Sequence, residues 1–106
     1  MSRSTRLVHT LPAPPAAELV QLGSALRRAR VARNESQRAL AERLGIAERT
    51  LRAVEQGDPK VSAGVLLTLL WAVGLGPLSA PISEQAARVA ASGAKTRARR
   101  KVKDDF

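Results

Sequence analysis

From Asn34 to Lys60 the chain sets Arg38, Arg43, Arg49, Arg52 and Lys60 among Glu35, Glu42, Glu48, Glu55 and Asp58, so this stretch carries no net charge. The whole chain has 106 residues and a net charge of +9. The excess lies in residues 1–33 and residues 61–106. So basic a chain suits an anionic partner: nucleic acid, a membrane surface or an acidic protein. Blanket phosphate attraction cannot be the whole purpose of its neutral middle, so the side chains there are taken one by one. Their types suit base edges. Arg49 can donate a fork of hydrogen bonds to guanine O6 and N7, and Glu48 can accept from cytosine N4. Ala47 and Thr50 can touch a thymine methyl or simply pack. Glu48 and Arg52 are also spaced like an ion pair on a solvated helix face, and spacing alone leaves both readings open.

Other chemistry is poorly supplied. The absence of cysteine excludes disulfides, thiolate metal sites and thiol catalysis, and fits a reducing compartment. His9 is the single histidine. The carboxylates stand beside arginines rather than as a paired acid and base, and the glycines form no phosphate-cradling loop. The expectation is a protein that is not an enzyme, with no metal and no cofactor. The basic start is broken by His9, Pro12, Pro14 and Pro15, unlike a signal-peptide core. The longest apolar stretch, AGVLLTLLWAVGLG, has 14 residues, whereas a bilayer span needs about 20. A soluble, cytoplasmic protein without membrane contact is expected.

The elements that must position these residues are helical. Ala, Leu, Arg, Glu and Gln are plentiful and strand-type runs are missing, which predicts an all-α fold. Residues 1–14 read as a flexible arm, with Pro15 at a first helical position. From Ala16 to about Arg33, Leu19, Leu22, Leu26 and Ala29 form one buried stripe, leaving Arg27, Arg28 and Arg33 outside. Ser36 caps a second helix, Gln37 to Leu44, with Leu40, Ala41 and Leu44 inward. A third runs from about Ala47 to Gln56, with Leu51 and Val54 inward, and Gly57-Asp58-Pro59 stops it. Ser62 caps a fourth, Ala63 to Val73, apolar over more than one stripe. Trp71 in this helix is expected in the core or at a subunit contact. Residues 74 to 81 read as loop, Ser83 to Ala91 as a short fifth helix, and residues 92–106 as a basic, disordered tail. The domain then spans residues 15–91.

The interruption at Gly45 fits a helix-turn-helix over residues 37–56, in which the second helix, about 47–56, lies in the DNA major groove. Ala41 supplies the small side chain where the helices meet. Gly45 supplies positive φ in the turn without steric cost. Leu40, Ile46, Leu51 and Val54 serve as apolar pegs.

The run Gln37 to Ile46, QRALAERLGI, with Thr50-Leu51 and Glu55-Gln56-Gly57, resembles the Xre family of phage repressor and Cro-like DNA-binding domains. The likeness extends back through Leu22-Gly23, Leu26-Arg27 and Arg30, and forward through Ser62, Leu66 and Leu69 to Gly74-Leu75, covering about residues 19–76. It implies a five-helix, lambda-repressor-like domain, usually dimeric, on double-stranded operator DNA. By the same resemblance Ala47, Glu48, Arg49, Thr50 and Arg52 would read bases. Gln37 would bond a phosphate, with Ser36, Arg38 and Lys60 as further phosphate contacts. Arg30 would pair with Glu55 and lock the first helix onto the recognition helix. The chain departs from the family at Ala47, which cannot cap a helix and so lets the third helix fray or start a residue later. It departs again at Glu35, where an apolar residue is common.

The order of arm, compact domain and brief tail is similar to HipB-type antitoxins, as is Glu55-Gln56-Gly57-Asp58-Pro59 followed by Ser62 and an apolar helix ending Val73-Gly74-Leu75. That implies a homodimer that represses its own operon and holds a HipA-like kinase toxin. The alternatives are a free-standing phage or cellular repressor, and a toxin-neutralising module that does not read DNA. In the tail, Arg97, Arg99, Arg100, Lys101, Lys103 and the terminal Phe106 are candidates for partner binding or extra phosphate contacts.

Overall fold

The computed structural model describes residues 11–99, the side chains of residues 95–99 excepted. They form five helices and no strand: α1 Ala13–Ala32, α2 Gln37–Leu44, α3 Glu48–Glu55, α4 Ala63–Ala72 and α5 Ser79–Arg99. The chain divides into two compact units, the first ending at Gly76 and the second beginning at Pro77. No helix among the described residues is long and apolar enough to cross a membrane.

In the first unit the core is built where the apolar periodicities meet. Leu26, Leu40, Leu51 and Leu69 are fully buried, with Ala41, Val54, Leu70 and Val73 nearly so. Each large side chain removed from water contributes roughly 1.5–3 kcal/mol, so a handful of leucines carries most of the hydrophobic stabilisation. The α3 helix packs against both α1 and α2. Its approach to α1 is close because Gly23 is buried there without a side chain. A Cβ at that position would lie 2.6 Å from the Glu55 carbonyl oxygen and closer still to that of Val54.

The first four helices end alike. After α1, α2, α3 and α4, a residue with positive φ (Asn34, Gly45, Gly57, Gly74) is followed by one whose N–H reaches back to a carbonyl five residues earlier. This double closure satisfies carbonyls that a helix end would otherwise leave bare. For α2 the bonds are Ile46 N–H to the Ala41 carbonyl, 2.9 Å, and Gly45 N–H to that of Glu42, 3.2 Å.

Several boundaries differ from expectation. The first helix begins at Ala13, so Pro14 lies in its opening turn rather than in the arm, and Pro15 stands at its third position rather than its first. The first N–H groups of a helix have no internal acceptor, so proline costs little there. The fifth helix starts four residues before Ser83, taking in Pro81 at its third position for the same reason, and runs through Arg99. The expected disorder from Ser92 therefore does not hold as far as Arg99. Ala, Lys and Arg are good helix formers, and the lone Gly93 is too weak a break to stop the run. Trp71 is not a core residue: it is 73% exposed. Leu66, Leu69, Leu70 and Val73 turn one side of α4 inward, and Trp71 falls on the opposite side with Leu67. The expected arm over residues 1–10 and the expected end of the tail, Arg100, Lys101, Lys103 and Phe106, lie outside the described residues.

Candidate nucleic-acid interface

The second and third helices meet through Gly45, whose φ of 67° and ψ of 32° are left-handed. Behind it Ile46 is half-buried, and Ala47 opens α3 in extended geometry. Leu51 and Val54 turn one side of α3 into the core. The same turn of the helix leaves Ala47, Glu48, Arg49 and Arg52 exposed, with Thr50 half-buried at their edge. Of the five expected base readers, Glu48, Arg49 and Arg52 thus share the outer side of one short helix, with Ala47 at its N-cap and Thr50 at its edge.

Within that group Arg49 has no ion-pair or hydrogen-bond partner among the described residues. Arg52 lies 3.7 Å from Glu48, both about half exposed. A pair so open to water holds its partners only weakly, with roughly 0–1 kcal/mol. The ion pair and the base-reading role are therefore compatible, since either side chain can leave the pair for a stronger partner.

The helix starts differ in a telling way. Ser36 accepts from Ala39 N–H at 3.0 Å and Ser62 from Val65 N–H at 3.1 Å, each hydroxyl capping its helix. Ala47 has the same extended backbone but no side-chain cap. The helix still begins at the next residue, Glu48, as α2 and α4 begin directly after their serines, but its first turn tightens so that Thr50 N–H reaches the Ala47 carbonyl at 3.0 Å. Glu48 in that first turn offsets part of the loss by facing the positive end of the helix dipole.

Of the expected phosphate contacts, Ser36, Arg38 and Lys60 are exposed. Arg38 is loosely paired with Glu42 at 3.6 Å, and the Lys60 backbone N–H is held by Asp58 at 2.8 Å. Gln37, half-buried at the first position of α2, is already engaged: its amide nitrogen donates to Glu55 Oε1 at 2.9 Å.

Beneath the surface lies a bidentate ion pair. Arg30 Nε donates to Glu55 Oε2 at 2.6 Å and Arg30 Nη2 to Oε1 at 3.0 Å, with side chains only 9% and 4% exposed. Arg30 Nη1 also donates to the Glu35 carbonyl at 2.8 Å. The Glu55 hydrogen bonds and charge hold the Arg30 pKa above its ordinary value against the opposing effect of burial. No buried side-chain polar atom is left unpartnered among the described residues.

Sequence reasoning did not anticipate what Glu35 does. Its carboxylate takes Arg43 Nε at 2.9 Å and Nη2 at 3.0 Å, and Arg43 Nη2 also comes within 3.5 Å of the Ala72 carbonyl at the end of α4. The hydrogen bonds from Arg43 hold the Glu35 carboxyl below the usual carboxylate range, with Arg33 and Arg30 adding to the effect. An acid thus stands where an apolar residue is common because an arginine eight residues on meets it. The signal was available in the pair Glu35 and Arg43, but a loop-to-helix spacing of eight has no fixed geometry. No group of three His, Asp or Glu side chains among the described residues is placed to hold a metal ion.

Residues 21–80 match the model of the helix-turn-helix domain family, and the chain belongs to that family. The match covers the four helices of the first unit from within α1, together with the start of α5. No curated protein and no solved structure matches the chain. Family and geometry agree on a helix-turn-helix domain of the DNA-binding kind.

Proposed function

We propose that this protein is a sequence-specific transcriptional repressor that binds operator DNA as a homodimer, and that it serves as the antitoxin of a HipBA-like operon. The observation that carries the DNA-reading part is the outer side of α3, where an unpaired Arg49 stands beside Glu48 and Arg52 on a helix anchored by Leu51 and Val54. In this reading Arg49 takes a guanine edge, Glu48 and Arg52 exchange their weak mutual contact for bases, and Ala47 and Thr50 contribute apolar contact. Gln37, Ser36, Arg38 and Lys60 fix the register on the backbone without selecting sequence. Two copies would sit over half-sites about 34 Å apart.

Exposed apolar side chains support the protein-binding part. Leu67 and Trp71 stand one turn apart on α4, 50% and 73% exposed, and Ile82 and Val89 are exposed on α5. Our assignment gives the dimer contact to α5 and residues 74–82. The kinase partner rests on the order of elements and on the basic run that follows Gly93. The reading includes a cytoplasmic location and no catalytic activity.

Selection of binding sites from a random duplex pool tests DNA reading: a shared motif of two half-sites is expected, and recovery of no motif rejects it. Arg49→Ala should weaken the selected site by about 1–3 kcal/mol and relax one base position. Equal losses on selected and scrambled duplexes would remove Arg49 from the readers. Light scattering of the free protein tests the dimer. Co-purification with the product of the adjacent gene separates the antitoxin from a free-standing repressor.

A further inference from the structure

We infer that Glu55 is a positioning residue for DNA-backbone binding: it orients the Gln37 amide so that one N–H remains directed to a phosphate. The inference rests on the DNA-binding reading above and goes beyond it by assigning to a buried carboxylate a role in binding as well as in folding.

The chemistry is set by what a carboxylate can do. With both oxygens accepting from Arg30, the Glu55 carboxylate can only accept hydrogen bonds. It must therefore face the nitrogen of the Gln37 amide and not the oxygen, which settles which way round the amide stands. One Gln37 N–H is spent on Glu55 Oε1, at 2.9 Å, and the amide carries a second. That second donor sits at the first position of α2, beside the backbone N–H groups that no helical carbonyl occupies. A freely turning amide would spend part of its time presenting its oxygen, which repels a phosphate.

The same oxygen, Oε1, receives Arg30 from α1 and Gln37 from α2, while Glu55 itself is the last residue of α3. One carboxylate therefore ties the start of α2, where the backbone is gripped, to the helix that faces the bases. Arg30 keeps this carboxylate from acting as a bare negative charge close to an incoming phosphate. Neither Arg30 nor Glu55 need touch DNA.

The test is a double-mutant cycle. Arg30→Met with Glu55→Met replaces the buried pair by apolar side chains of similar length, an exchange that buried pairs often tolerate, and removes the acceptor for Gln37. Binding to a duplex selected by the unaltered protein, and to its scrambled version, is measured with and without Gln37→Ala. In the unaltered background Gln37→Ala should weaken both duplexes about three- to ten-fold, the scale of ordering one flexible side chain. In the Arg30→Met, Glu55→Met background the same change should have almost no effect. Equal losses in both backgrounds would overturn the inference while leaving DNA binding intact, whereas failure of the unaltered protein to prefer any duplex would overturn both. Should the double variant not fold by circular dichroism, the side-chain amide protons of Gln37 in the unaltered protein decide. One of the two protons shifted downfield and protected from solvent exchange is expected, and two protons that both exchange at unprotected rates refute the inference.

Discussion

Gly23→Ala separates helix propensity from packing, because the two effects have opposite signs at that position. In the interior of α1, alanine is favoured over glycine by about 1 kcal/mol, and a sequence-only estimate makes the change stabilising. The structure reverses the sign. The new Cβ would stand 2.6 Å from the Glu55 carbonyl oxygen and 2.8 Å from its carbonyl carbon. Both are backbone atoms of α3, so no side chain can swing aside and the whole helix must retreat. Overpacking of this kind costs about 1–3 kcal/mol or more, and a contact with backbone belongs at the upper end. The net expectation is a loss of about 2 kcal/mol, or roughly 8–16 °C in melting temperature for a domain of this size. The control is Gly93→Ala in α5, where a Cβ meets nothing within 4 Å. That change should leave the melting of the first unit unaltered and raise helicity by circular dichroism. Thermal and urea unfolding of the three proteins measure the difference. A Gly23→Ala protein that melts at or above the parent would refute the close approach of α1 to α3, and with it the frame that holds Glu55.

Other consequences are sharper in sign than in size. Ala47→Ser supplies the hydroxyl that Ser36 and Ser62 already use, on backbone of the same extended kind, and should stabilise the domain by about 1 kcal/mol; an unchanged midpoint in urea would show that the tightened first turn leaves no donor to satisfy. Glu55→Ala strands the buried Arg30 guanidinium and should cost about 3–5 kcal/mol, whereas the apolar pair Arg30→Met, Glu55→Met should recover most of that loss in the same unfolding assay. Glu35→Gln gives a pH signature. Because Arg43 lowers the folded-state pKa of Glu35, its stabilisation is present above the ordinary carboxylate range and is lost as the pH falls through the lowered folded value. With Arg43 nearly half exposed, water screens the pair and the effect is small. Parent and variant should therefore differ in melting at neutral pH and converge in acid, and a gap that persists in strong acid would place the effect elsewhere.

The residues that form the middle helices were legible because their causes are local. Ser36 and Ser62 sit one residue before an apolar period, and Gly45 interrupts a helix where only a small residue tolerates positive φ. The bounds of α2 follow from those signals alone. The outward side of α3 was legible too, since burying Leu51 and Val54 leaves Glu48, Arg49 and Arg52 facing away by helical geometry. Trp71 was not, because in an almost wholly apolar helix periodicity cannot say which side meets the core. The length of α5 was not, because composition that cannot build a core can still form a helix.

Sequence alone determined that the chain breaks into helices at Asn34, Gly45, Gly57 and Gly74, and that the second of these breaks joins two short helices. Those facts depend on backbone dihedrals and hydrogen bonds that reach no further than five residues. Tertiary structure decided that Gln37 joins Arg30 on the Glu55 carboxylate, a meeting already expected only for Arg30, and that Glu35 belongs to Arg43. The first of these meetings depends on how closely α1 can approach α3, a distance that the missing side chain of Gly23 permits only once the helices are packed together.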